Sequence, residues 1–190
     1  RELFSRIMLA QALLLTSQGI IFLHAGQEYG RTKSAKSLTD KNHHDIIGHF
    51  VKNSYNAPDS INNFIWQKGI EYEELRDFTR ILIALRNKNE HFRIHSREEI
   101  KSRVKLLEDA SGDLLLCYKI MPASAVSGTV WYLIFSGRKT ISTIDIDENL
   151  SEAQVYVYGS RASLDPFLLP LEQYSGTKLD VHPLGAVIFS

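Results

Sequence analysis

A chain of 190 residues has room for one ordinary domain or two small ones. With 44% hydrophobic and 23% charged residues it has the composition of a folded polypeptide and not of a disordered one. Lys plus Arg and Asp plus Glu stand at 22 each, so net charge gives no drive toward nucleic acid or an anionic membrane surface. Cys117 is the one cysteine, which excludes an internal disulfide. No apolar run reaches the ~20 residues that a membrane-spanning helix needs. The chain opens at Arg1 with neither an initiator Met nor a leader, as a piece of a longer polypeptide would. Its location, cytoplasmic or secreted, is therefore left open.

Residues 1–18 are predicted helical. Leu3, Ile7, Ala10 and Leu14 follow helical spacing, Phe4, Met8, Leu9, Leu13 and Leu15 widen the apolar face, and Gly19 supplies a stop. Ile20-Ile21-Phe22-Leu23 then reads as a short strand covered on both faces, as in a parallel sheet. From Ala25 to Trp66 the periodicity disappears. A connection of that length usually carries function, and a short helix is expected near Asp45 to Phe50.

Residues 71–88 return to helical spacing through Tyr72, Leu75, Phe78, Leu82 and Leu85. Acidic residues at their start and basic residues at their end complement the helix dipole. Ser96 and Glu99 have the spacing of a capping box. After residue 102 the period becomes two. Strands are predicted at 103–108, 113–120, 129–136, 140–146, 153–158, 177–182 and 185–189, with a hairpin turn at 109–112. Short strands separated by turns point to an antiparallel β-sandwich, with a boundary near residues 90–95.

Ser17-Gln18-Gly19-Ile20-Ile21-Phe22-Leu23-His24-Ala25-Gly26-Gln27-Glu28 resembles the eighth barrel strand of the α-amylase superfamily. Arg31-Thr32-Lys33, Asn53-Ser54-Tyr55-Asn56, Asp59-Ser60-Ile61-Asn62 and Trp66 narrow the resemblance to type I pullulanases. Leu82-Ile83-Ala84-Leu85-Arg86, His91-Phe92-Arg93 and the final Pro183-Leu184-Gly185-Ala186-Val187-Ile188 extend it along the chain. The resemblance implies an α+β fragment: the last α/β units of a (β/α)8 barrel in residues 1–93, then an antiparallel β-sandwich in 94–190. It implies a parent that cuts α-1,6 links in pullulan, glycogen or starch, with α-glucan as partner and no cofactor. Retaining glycosidases place two carboxyls about 5 Å apart. In the family these sit on earlier strands than those in this chain, so the chain alone is expected to be inactive. The alternative reading is a non-catalytic α-glucan-binding module, or a purely structural β-sandwich. With the rest of a barrel absent, the apolar helix and strand at the start favour self-association.

Glu28 is the most tempting catalytic acid, but no second carboxylate of the right kind accompanies it, and bracing its own turn is the better account. His43, His44, Asp45 and His49 suggest a metal, yet the loop offers no converging third ligand with support, so no metal is assigned. Arg31 and Lys33 lack a glycine-rich phosphate cradle and suit loop bracing or a hydroxyl contact. The substrate-binding candidates are Asp59, Asn63, Tyr55 and Arg31. Asp59 and Asn63, four residues apart, suit paired bonds to vicinal sugar hydroxyls, and the resemblance puts them on the glucan away from the cleavage point; capping the turn after Pro58 is the competing role for Asp59. Tyr55 is suited either to stacking on a glucose ring or to packing beneath the loop. Trp66 is expected to be buried. At Ile65 and Asn63 the sequence departs from the family, which has Asp before that Trp and a longer polar side chain at the second position. Trp131, Tyr132, Tyr156 and Tyr158 are expected in the β core.

Overall fold

The computed structural model describes residues 1–37, 46–67, 70, 72–124, 128–146 and 148–190. In chain order the helices are α1 (Glu2–Thr16), α2 (Asp59–Asn62), α3 (Glu73–Lys88) and α4 (Arg97–Arg103). The strands are β1 (Ile46–Ile47), β2 (Phe50–Val51), β3 (Val104–Leu106), β4 (Leu115–Ile120), β5 (Trp131–Ser136), β6 (Ser142–Asp145), β7 (Val155–Tyr158), β8 (Arg161–Phe167), β9 (Tyr174–Ser175), β10 (Lys178–Val181) and β11 (Gly185–Phe189). The chain divides into two compact units, one of Arg1–Phe22 with Asp77–Ser190 and one of Leu23–Arg76.

The larger unit is an α+β assembly on antiparallel sheets. A six-stranded sheet runs β3-β4-β5-β11-β7-β8, and a three-stranded sheet runs β6-β10-β9. Every pairing is antiparallel, and the last strand of the chain lies between β5 and β7. One apolar cluster draws Cys117, Tyr132, Ile134, Val155, Val187 and Phe189 from the large sheet and Ile144, Leu179 and Val181 from the small one. Period-two alternation sends these side chains to one face. Helix α1 lies against β11 and β5 of the large sheet.

Every predicted segment of the β region contains a strand. Strands β8 and β9 were not expected. β8 pairs with β7 alone, and its Arg161, Ser163, Asp165 and Pro166 are tolerated because an edge strand has one unpaired side. Of the four aromatic residues expected in the core, Trp131 and Tyr132 are buried, and Tyr156 and Tyr158 are half-buried at its edge. Trp131 meets Phe92 and Tyr156, each at 4.9 Å between ring centres, and Tyr132 stacks on Phe189. The Tyr158 hydroxyl donates to the Asp180 carbonyl at 2.9 Å.

Three expectations are corrected. Ile20-Ile21-Phe22-Leu23 forms no strand; Ile20 is fully exposed and Phe22 is 81% exposed. A parallel strand exists only by bonding to neighbours, and among the described residues no strand lies beside this segment. Ile46 to Val51 forms a hairpin, not a helix, turning at Gly48 with φ 59. In α1 the buried stripe is Met8, Gln11, Ala12, Leu15 and Thr16, whereas Leu3, first in the expected stripe, is 63% exposed. A helix apolar on most sides does not reveal from its periodicity which side will be covered.

Candidate functional site

The smaller unit carries all four substrate-binding candidates, and its local order starts at Gly26. This glycine has φ 91, and a Cβ there would come within 2.6 Å of Arg31 Cδ. The Glu28 carboxylate accepts from the Gly26 amide at 2.9 Å, so Glu28 braces its own turn. Arg31 folds back across that turn. Its Nη1 donates to the Ala25 carbonyl at 3.1 Å, and its Nη2 to the carbonyls of Asn62 and, at 3.2 Å, Asn63. The guanidinium also sits 5.5 Å from the centre of the Phe64 ring, which Tyr29 meets edge-on. Arg31 thus bonds to main chain from both ends of the loop.

A second node forms at Asn62, which the sequence did not single out. Its Nδ2 donates to the carbonyls of Ser54 (2.7 Å) and Ala57 (2.9 Å), while its Oδ1 accepts from Lys33 Nζ at 2.9 Å. Lys33 Nζ also donates to Ser54 Oγ at 2.6 Å. Beneath these bonds Ala35, Val51 and Ile61 form a small apolar core with Ile46 and Ala57 at its edge. The adjacent pair Asn62-Asn63 carries no signal of which amide turns inward. That choice depends on the carbonyls of Ser54 and Ala57 a few residues earlier and on Lys33, 29 residues earlier in sequence.

The candidates are placed as follows. Asp59 is the first residue of α2, exposed, and no side-chain bond caps that helix. Its carboxylate complements the helix start through charge instead. Asn63 is exposed and is tied to Arg31 through its carbonyl. Tyr55 is 94% exposed, which removes packing beneath the loop as its role. Trp66, expected to be buried, is 75% exposed and lies 4.4 Å from Phe64 between ring centres. The structure therefore links Arg31 with Asn63 and leaves Tyr55 and Asp59 as open surface. Among the described residues no group of His, Cys, Asp and Glu is arranged to hold a metal; His43, His44 and Asp45 lie outside them.

No protein-family model matches the chain. Pullulanase A of Streptococcus pneumoniae is 36% identical over 131 residues, which is 56% of this chain and 10% of that protein. The pullulanase of Bacillus subtilis strain 168 is 35% identical over 103 residues, 54% of this chain and 12% of that protein. A Group B Streptococcus pullulanase solved with maltotetraose superposes with TM-score 0.82 at 26% identity, covering 98% of this chain and 28% of that one. The type I pullulanase of Bacillus subtilis solved with maltose gives TM-score 0.78 at 25% identity, over 99% of this chain and 23% of that one.

The chain resembles the C-terminal portion of a type I pullulanase. It spans about a tenth of the length of the curated pullulanases it matches. The likeness to the solved pullulanases runs through both compact units, so the Gly-Gln-Glu turn and the Arg31 and Asn62 nodes fall within the pullulanase-like part.

Proposed function

We propose that this chain is the C-terminal piece of a debranching glycoside hydrolase acting on the α-1,6 links of pullulan, glycogen or starch. Residues 1–93 are the last α/β units of its (β/α)8 barrel and residues 94–190 its β-sandwich. The catalytic carboxylates lie on polypeptide outside this chain. The observation that carries the reading is the likeness to a maltotetraose-bound pullulanase over 98% of the chain. In this reading the smaller unit touches glucan away from the bond that is cut. Tyr55 offers an exposed ring face to a glucose unit, Asp59 and Asn63 bond to sugar hydroxyls, and Arg31 holds Asn63 in place.

The test is reducing-end release from pullulan by the purified chain, beside a titration with maltotetraose followed by tryptophan and tyrosine fluorescence. No release is expected, together with weak binding that Tyr55→Ala diminishes. Turnover that disappears in Glu28→Gln would overturn the division of labour. The second reading, a non-catalytic or structural β module, draws on the burial of Trp131 and Tyr132, which leaves no exposed aromatic row on their strand. Glycogen binding that is indifferent to Tyr55→Ala and Trp66→Ala would assign binding to the β region instead.

A further inference from the structure

In the larger unit six strands face three, so the smaller sheet leaves part of the larger sheet's inner face uncovered. The opening lies at β6, the outermost strand of the smaller sheet, where a cavity of about 510 Å³ runs between β3, β4 and the end of β6. Leu106 and Leu107 form its apolar wall, with Ala110 and Ile146 of the core cluster behind them. Glu108, Asp109, Asp145 and Lys119 stand around the same space. The turn that carries Glu108 and Asp109 is pinned. The Leu107 amide donates to the Cys117 carbonyl at 2.9 Å, and Ser111 Oγ accepts from the Cys117 amide at 3.0 Å and donates to the Cys117 carbonyl at 3.1 Å. The Lys119 ammonium lies 5.8 Å from the centre of the Tyr132 ring, whose hydroxyl donates to the Glu148 carboxylate at 2.8 Å. The turn and the lysine are thus placed before any ligand arrives, which lowers the entropy lost on binding.

We propose that this cleft is a second contact for α-glucan, built from the larger unit alone. Its volume falls in the range of small-ligand sites, roughly 300–1,000 Å³. A sugar ring offers two kinds of surface: C–H groups, and hydroxyls that each donate and accept. The leucines take the first. The carboxylates accept hydroxyl protons, and the Lys119 ammonium donates to a hydroxyl oxygen. Three carboxylates against one ammonium repel an anion. A simple cation would leave Lys119 facing its own charge, and among the described residues no group of His, Cys, Asp and Glu is arranged to hold a metal. A neutral polyhydroxyl ligand uses the carboxylates, the ammonium and the apolar wall together. The choice of α-linked glucose as the sugar rests on the debranching reading, whereas the cleft is read from the larger unit itself.

The test titrates the full nitrogen-15-labelled chain with maltotetraose and follows amide shifts. The expected result is saturable shifts at residues 106–110, 119 and 145–146, requiring about tenfold more sugar in Asp145→Ala. Lys119→Met, which keeps the stem beside Tyr132, is expected to weaken binding in the same direction, and it carries the test if Asp145→Ala melts early. Shifts around Tyr55 with none in the cleft overturn this proposal and leave the glucan contact of the smaller unit standing. Cleft shifts that survive Tyr55→Ala, with residues 53–63 silent in the parent sequence, sustain this proposal and remove that contact. Cleft shifts that are the same in both cleft variants as in the parent sequence overturn the proposal. So do cleft shifts produced by the diamine putrescine and not by maltotetraose, and so does silence of the cleft amides toward maltotetraose at every concentration.

Discussion

Asn62 and Asn63 are neighbours of identical type with opposite roles. Asn62 closes the loop with three side-chain hydrogen bonds, whereas Asn63 leaves its amide exposed. Asn62→Ala should therefore destabilise the smaller unit by about 2 kcal/mol, since the carbonyls of Ser54 and Ala57 and the Lys33 ammonium lose a partner together. Hydrogen exchange of amides around 51–63 should accelerate, while Asn63→Ala should leave exchange there unchanged. A second residue-scale effect concerns pH. His91 is held below its ordinary value of 6.5, first by burial and then by Arg103, against weaker pulls from Glu90 and the Thr129 backbone. The Trp131 ring, 6.2 Å away between ring centres, also faces it. The unfolded chain takes up this proton more readily than the folded one, so the His91 contribution is complete above about pH 6.5 and is lost as pH falls toward the folded value. The melting temperature should drop more steeply on acidification in the parent sequence than in His91→Gln. Equal slopes in that window would remove His91 from the account.

At the scale of elements, the N-cap half of the predicted capping box was legible, with Glu99 bonding the Ser96 hydroxyl instead of the Ser96 amide. Ser96 Oγ accepts from the Glu99 amide at 3.1 Å and donates to the Glu99 carboxylate at 3.3 Å. Ser96→Ala should cost about 1 kcal/mol in a denaturant melt, and Ser96→Asp should recover most of it, because only a side-chain acceptor is needed. Strand β8 was not legible. Its mixed polar residues and Pro166 contradict strand statistics, and its extended form is fixed by the β7 backbone beside it. Residues 20–23 show the converse. Their apolar, strand-forming composition is unmistakable, yet they pair with no strand among the described residues, because composition prepares a strand and only a neighbouring backbone makes one. Arg86 nonetheless anchors the approach to this segment, donating to the carbonyls of Leu15, Ser17 and Gly19.

For the molecule as a whole, the larger unit exposes Leu3, Leu13, Ile20 and Phe22 near its start. Burying each such side chain contributes roughly 1.5–3 kcal/mol, so association of copies is expected as concentration rises. Light scattering should show growth in mass and a hydrophobic dye should bind; Phe22→Ser should weaken both without lowering the melting temperature. A monomer at every concentration, with no dye binding, would count against that expectation.

The sequence by itself determined the two long helices, the Ser96 cap, the seven strand segments predicted after residue 102 and the aromatic core of the β region. Each is written locally, in a period of 3.6 or two or in a capping pair three residues apart. The motifs from Ser17 to Trp66 also carried the resemblance to type I pullulanases without any knowledge of the fold. Only the tertiary structure decided which stripe of α1 is buried, that β11 enters between β5 and β7, that Arg31 and Asn62 brace the loop, and that Tyr55 and Trp66 face outward. For α1, β11, Arg31 and the Lys33 bond of Asn62 the partner lies far away in the chain. A side chain's role is then set by what the fold brings against it, and no local pattern encodes that.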